Sequence, residues 1–411
     1  MCGAAFRAKR LLSLCVSQHG FCENSAEENQ LNGCFSREDL GSPGRIECSC
    51  GKPFDLTSEL TRWTLDYGLT DTVFSELLEI FAVQISSNDL LLVTGATGLV
   101  GSHVAEQARQ KGLRVRTLVR AGADVTLLKK WGCELVVGDL DQPDSLKAAC
   151  QDVTVVIHCA ARVGDWGPTE DYRRVNVDGT KALLDAALAA GTLARWVQIS
   201  SLGVYEGRDH YGTDEATLPS TTGIDGYTLT KVESELLVCD YIRNRKLPAV
   251  VLRPGFIYGP RDRTVLPRLL DRLRSGKFAF LGSVDKLMNN TFVGNLCEAI
   301  WLAIERDDVV GEVFNIRDPR AVTKREFIDT VCDAVGLSHP KKVVPLPVAK
   351  VLARLMESTW KLLGRKEAPL LNSARIKFLG LNLDFSIDKA VRQLGYKPST
   401  DFRDAMKASL K

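Results

Sequence analysis

The sequence predicts an α/β protein: a doubly wound parallel sheet of the Rossmann type, with a smaller C-terminal lobe and a poorly structured N-terminal extension. Three observations predict it. Short, almost wholly apolar runs recur from residue 90 onward, the stretches between them are long enough for helical crossovers, and a glycine-rich turn follows the first run directly.

Residues 1–87 show no strand-helix alternation, and 19–53 are rich in Gly, Ser, Asn, Glu and Cys, the composition of a loose extension. Within it, residues 57–83 carry Leu60, Trp63, Leu65, Leu69, Val73, Leu77, Leu78 and Ile80 at spacings compatible with one docking helix. Cys2, Cys15, Cys22, Cys34, Cys48 and Cys50 lack the paired spacing and His partners of a zinc site, so no metal is expected. Cys133, Cys150, Cys159, Cys239, Cys297 and Cys332 lie in apolar segments and read as small core residues.

The dinucleotide-binding part is expected over 88–255, interleaved with a substrate lobe over 256–411. Nearly all-apolar strands, as expected where both faces of a sheet are covered, are predicted at 90–94, 113–119, 134–137, 154–158, 196–200, 249–253 and 313–316. Beyond residue 255 the pattern loosens into helices, including 264–275, 293–305 and 324–335.

The balance of 53 basic against 51 acidic residues leaves no field to hold a nucleic acid, so none is expected as a partner. No apolar run reaches the ~18 residues of a spanning helix, and the short Leu11–Ser17 stretch after Arg7 and Arg10 is a poor leader. The cytoplasm is the expected compartment.

Gly95-Ala96-Thr97-Gly98-Leu99-Val100-Gly101 sits between a strand and a helix, the context in which such a turn cradles a pyrophosphate. Gly95 permits the tight turn, Gly98 lets backbone N–H groups approach, Gly101 lets helix and strand pack, and the helix N-terminus adds positive charge. At the end of the second strand, where a carboxylate would accept from a ribose 2′-hydroxyl, stands Arg120, and no acid precedes Asp124. A guanidinium there suits a 2′-phosphate, so NADP is preferred over NAD.

Tyr227 and Lys231 are four apart at the start of a helix and share one face. Moving a hydride to or from a carbon requires moving a proton at its oxygen, and a phenol with a pKa near 10 is a poor base at neutral pH. An ammonium about 4 Å away, at an effective dielectric near 20, would lower it usefully, so Lys231 is expected to tune Tyr227. Ser201 ends the fifth strand at the sheet edge where ligands bind, placed to orient a substrate oxygen. Ser201, Tyr227 and Lys231 are the candidate catalytic residues.

Together these strings resemble the extended short-chain dehydrogenase/reductases, from about residue 88 to the C-terminus. Within them the chain looks most like the 3-beta-hydroxysteroid dehydrogenase, sterol-4-alpha-carboxylate dehydrogenase and dihydroflavonol reductase branch, on Pro345-Leu346-Pro347, Phe385-Ser386-Ile387-Asp388-Lys389-Ala390 and Leu394-Gly395-Tyr396-Lys397-Pro398. The resemblance implies cofactor contacts from Thr97, Leu99 and Val100 in the turn, Asp139 and Leu140 on the adenine side, and His158, Ala160 and Ala161 after the fourth strand. It also implies contacts from Pro254, Gly255 and Ile257 between the lobes, and from Tyr227 and Lys231 themselves. Phe256 stands where many nucleotide-sugar epimerases of the superfamily carry an Asn, which favours a small hydrophobic ring substrate. The alternatives are a nucleotide-sugar epimerase or dehydratase with bound NAD, and a non-catalytic NADPH-binding sensor or scaffold. A homodimer through 171–190 and 227–245 is a family expectation.

Val348, Val351, Leu352, Leu355, Met356 and Leu363 recur at helical spacing with charges between them. Packing or a substrate lid is the usual explanation. Peripheral membrane contact through residues 347–363 is the sharper one.

Overall fold

The computed structural model describes residues 85–222 and 225–410, together with Ile46–Glu47 and Pro53–Phe54, which pair antiparallel. The six early cysteines and the 57–83 helix lie outside the described residues.

Seven parallel strands form the main sheet: β1 (Leu90–Thr94), β2 (Arg114–Val119), β3 (Glu134–Val137), β4 (Val155–His158), β5 (Arg195–Ile199), β6 (Ala249–Pro254) and β7 (Val313–Ile316). Their spatial order is 3-2-1-4-5-6-7. Thr94 at the end of β1 is flanked by Leu118 of β2 and His158 of β4. The chain leaves β1 toward one side of the sheet and returns on the other, opening a crevice above β1 and β4.

The inner strands are apolar because both faces are covered, whereas the edge strand β3 leaves Glu134 and Val137 exposed. Leu91 and Val93 of β1 pack with Val104, Ala105 and Ala108 of helix α1 (Leu99–Gln110) and with Leu296, Ile300 and Ala303 of α4 (Val293–Glu305). Leu90 and Leu92 point the other way, toward Leu183, Leu184 and Ala187 of α2 (Gly179–Ala190) and Val238 and Tyr241 of α3 (Gly226–Arg245). Leu92 is fully buried, and its truncation to Ala would cost about 2–5 kcal/mol.

Helix α3 opens on a capping box. Asp225 accepts from Thr228 N at 2.8 Å, and Asp225 N donates back to the Thr228 hydroxyl. The cap fixes the first turn, which carries Tyr227.

The lobe has its own core around Tyr258, Leu266, Phe280, Met288, Phe327 and Phe402. It joins the sheet where Phe256–Tyr258 runs parallel to Asn290–Phe292. At Gly255 a Cβ would fall 1.8 Å from the Asn289 carbonyl oxygen, so only glycine fits there. The sheet takes β7 from beyond this lobe segment. Helix α5 (Leu346–Leu362) buries only Ala349 and Ala353, and its neighbour α6 spans Ser373–Gly380. Among the described residues no helix is long and apolar enough to cross a membrane.

Candidate active site

Gly95 adopts φ +66°, and a Cβ there would lie 2.8 Å from Ala160 N, so the turn is pressed against the end of β4. Gly98 N closes the turn on Gly95 O at 2.9 Å. Gly101 differs from expectation in one respect. A Cβ on it would meet Gly95 O at 2.5 Å, so the residue makes room for the turn's own backbone rather than for the strand. Helix α1 begins directly after Gly98 with no side-chain cap and no acid in its first turn, leaving N–H groups and positive charge for an anion. Thr97 and Gly98 line an open cleft with Ser102, Asp124, Arg261 and Arg263. The uncapped helix, the glycine cradle and the cations fit the phosphates of a dinucleotide.

The crevice floor is a hydrogen-bonded chain. Thr94 Oγ1 meets His158 Nδ1 at 2.7 Å, His158 Nε2 meets Thr180 Oγ1 at 3.0 Å, and Ala160 N donates to Thr94 Oγ1 at 3.2 Å. Burial, with the Lys231 charge adding, pushes His158 down to about 3, so its ring is neutral. Both ring nitrogens are occupied. The imidazole thereby braces the crevice floor, with the ends of β1 and α2 holding its polar atoms.

Other expected contacts divide similarly. The Asp139 carboxylate accepts from Leu140 N at 2.7 Å, and Leu140 packs on Gly179. Gly255 N has both Ile316 O and Thr291 Oγ1 at 3.0 Å, Pro254 is buried in β6, and Ile257 packs with Leu99 and Val100 against the core. Ala161 follows Ala160 at the partly buried rim. Arg120 is exposed just past β2. Asp124, the first acid after it, accepts from Thr126 N at 3.1 Å and faces Arg263 at 3.7 Å.

Above β5 the Tyr227 phenol meets the Ser201 hydroxyl, while Lys231 reaches the end of the strand itself. Ser201 Oγ accepts from Gly203 N at 3.0 Å, and its hydroxyl favours the Tyr227 phenolate. Buried Lys231 donates to Ile199 O at 2.6 Å. Burial nevertheless pushes Tyr227 up to about 12, against the expected downward tuning, and pushes Lys231 down to about 8. The difference is desolvation: packing α3 on β5 strips water from both groups, and the lysine reaches the sheet carbonyl.

Sequence reasoning missed three supports. Glu235, one turn beyond Lys231, accepts from Ser200 Oγ at 2.5 Å and pairs with Arg253 Nη2 at 2.5 Å, while Arg253 Nη1 donates to Tyr205 Oη at 2.7 Å. The signal was available in the i, i+4, i+8 spacing of Tyr227, Lys231 and Glu235. Lys377 of α6 donates to Gly203 O and Tyr205 O, both at 2.7 Å, bracing the turn after Ser201. Arg261 adopts φ +69°, lies over Trp131 and holds Glu106 at 2.7 Å, yet its Nε and Nη2 are buried without a partner. Phe256 packs against Phe378 at 4.9 Å and Phe327 at 5.7 Å, and Phe378 reaches the cluster around Leu202 and Val204.

The fold and site define an NAD(P)-dependent oxidoreductase of the extended short-chain dehydrogenase type. The chain belongs to the NAD dependent epimerase/dehydratase family, whose model matches residues 91–316. It is 31% identical over 306 residues to a 4-hydroxy-2-methyl-3-oxo-4-farnesyl-3,4-dihydroquinoline-1-oxide ketoreductase of Stigmatella aurantiaca, covering 74% of this chain and 90% of that protein. It is 31% identical to a 3-beta-hydroxysteroid dehydrogenase of Mycolicibacterium neoaurum, covering 77% and 89%. Among solved structures, gox2253 aligns with a TM-score of 0.66 at 31% identity, over 79% of this chain and 97% of that one.

Proposed function

We propose that this enzyme interconverts a ketone and its secondary alcohol on an apolar ring substrate, with NADP as the preferred dinucleotide. The observation that carries the substrate class is Phe256, set among Phe327 and Phe378 beside the turn that follows Ser201. Phe256 and Phe378, half-buried with Phe327 behind them in the lobe core, offer a sugar nucleotide no polar partner and suit a fused or planar hydrocarbon. The ketoreductase and steroid dehydrogenase names of the relatives support the reading.

When bound, the dinucleotide gives or takes the hydride. Tyr227, pushed up to about 12, stands protonated at neutral pH, which suits it to protonate a carbonyl oxygen as the carbon receives hydride. The O–H bond of the phenol breaks, the substrate O–H forms, and the phenolate recovers its proton from solvent. Ser201 orients the substrate oxygen and its hydroxyl favours the phenolate, while Lys231, still charged at neutral pH, holds the helix that carries Tyr227 to the end of β5.

NADP is favoured because Arg120 is free at the end of β2 among the described residues, while Asp124 is engaged by Thr126 and Arg263. Arg261 and Arg263 add positive charge beside the glycine turn for the phosphates.

The test is a hydride-transfer screen of steroid, sterol, flavonoid and sugar-nucleotide substrates with NADPH and NADH in parallel. Turnover of a ring ketone with NADPH is expected. Turnover confined to sugar nucleotides, with NAD retained through purification, would assign the site to epimerisation instead.

A further inference from the structure

Helix α5 is packed on one side only. Ala349 and Ala353 are its buried residues, and Glu357 holds the start of α6 through Ser373 N at 2.6 Å and Ser373 Oγ at 3.0 Å. Around the helix axis, Val348, Val351, Leu352, Leu355 and Leu362 fall within an arc of about 100° on the side away from the two alanines. All five are exposed, Leu355 by 60% and Leu362 by 87%. The next arc carries Lys350, Arg354 and Lys361, also exposed, and Arg365 and Lys366 continue it past the helix end. Residues 346–366 thus hold five basic side chains against the single acid Glu357, a net +4 (5 − 1).

An apolar stripe bordered by a basic one, both facing water, is the pattern of a helix lying in the headgroup region of an anionic bilayer. A second copy is a poor fit, because pairing about a two-fold axis would set the basic flanks near each other. We infer that α5 is a peripheral membrane-binding face that takes an anionic phospholipid surface.

The face is tied to the catalytic helix. Trp166 Nε1 donates to Arg365 O at 3.1 Å, Asp165 pairs with Arg375 of α6 at 2.5 Å, and Tyr172 donates to Trp166 O at 2.7 Å. Tyr172 packs on Gly226, immediately before Tyr227, where a Cβ would lie 2.8 Å from its ring. Docking would place this loop beside the bilayer, on the route of a substrate dissolved in lipid. The binding claim itself is independent of which substrate is turned over.

The test is co-sedimentation of the full chain with phosphatidylcholine vesicles and with vesicles that also contain phosphatidylserine. The wild type is expected to bind the anionic vesicles at least about tenfold better, with added salt weakening the difference. A Val351→Gln, Leu355→Gln, Leu362→Gln variant should lose binding to both. A Lys350→Gln, Arg354→Gln, Lys361→Gln variant should bind anionic vesicles roughly a hundredfold less, since each basic residue near such a surface contributes about fivefold (~1 kcal/mol). Unchanged melting temperature and NADPH affinity would show that both variants fold. The inference is overturned if the wild type does not bind, or if the apolar variant binds equally well. It is also overturned if hydrogen exchange shows the stripe covered by a second copy or by residues 57–83.

Discussion

The Lys231 ammonium lies 2.6 Å from the Ile199 carbonyl oxygen, which fastens the catalytic helix to the last residue of β5, two positions before Ser201. The lysine is therefore a brace as well as a charge. Because burial pushes its pKa down to about 8, the charge is present at neutral pH and lost as pH rises through about 8. The kcat/KM for ketone reduction should be level near neutrality and fall above that point. In Lys231→Arg, whose guanidinium keeps its proton, residual activity should lack the alkaline decline. A decline at the same pH in that variant would show that another group causes it.

Tyr227→Phe should lower reductive turnover by roughly 10²–10⁴-fold, the usual worth of a positioned acid. NADPH affinity, followed by fluorescence, should stay within about twofold, since the ring still fills its place. Full activity would remove Tyr227 from the reaction.

Gly95→Ala and Gly101→Ala both drive a methyl into backbone, the first at a positive φ as well. Each should abolish the rise in melting temperature that NADPH gives the wild type, a rise expected from ligand linkage. An undiminished rise would mean that the dinucleotide does not use this turn.

Arg120→Gln should weaken NADPH by about 10–100-fold, the worth of one or two charge-assisted hydrogen bonds, and leave NADH nearly unchanged. Equal losses for both cofactors would assign Arg120 a role unrelated to the 2′-phosphate.

His158 links stability to acid. It is neutral in the fold down to about 3, whereas an unfolded imidazole takes up a proton below about 6.5. The unfolded chain therefore binds more protons in that window, and stability drops as pH falls, by up to ~1.4 kcal/mol per unit from this group. Urea midpoints between about pH 7 and pH 5 should show a flatter dependence in His158→Gln.

Much of this was legible in the sequence. The strands at 90–94, 134–137 and 313–316 and the helices at 293–305 and 324–335 fall where the apolar pattern puts them, and in the strand at 90–94 burial on both faces writes a continuous run. Roles that depend on distant partners were not legible. His158 meets Thr94 64 positions away, and Glu235 of α3 finds its counter-ion in Arg253 of β6, 18 positions on. The Tyr227 pKa went astray because spacing reveals a neighbouring charge but not how much water packing removes. Periodicity likewise marked 347–363 as amphipathic without showing that the packed side is the alanine side.

The pairing of β6 with β7, Val251 opposite Val313 and Pro254 opposite Ile316, has a consequence for synthesis. On the ribosome β6 emerges while its neighbour is still untranslated, and residues 255–312 must follow first. At typical elongation rates that takes roughly 3–12 s. Through that interval β6 presents an open edge able to recruit a stray strand. The nucleotide-binding half cannot finish folding ahead of the lobe, so a ribosome stalled between these strands would leave a chain prone to aggregate.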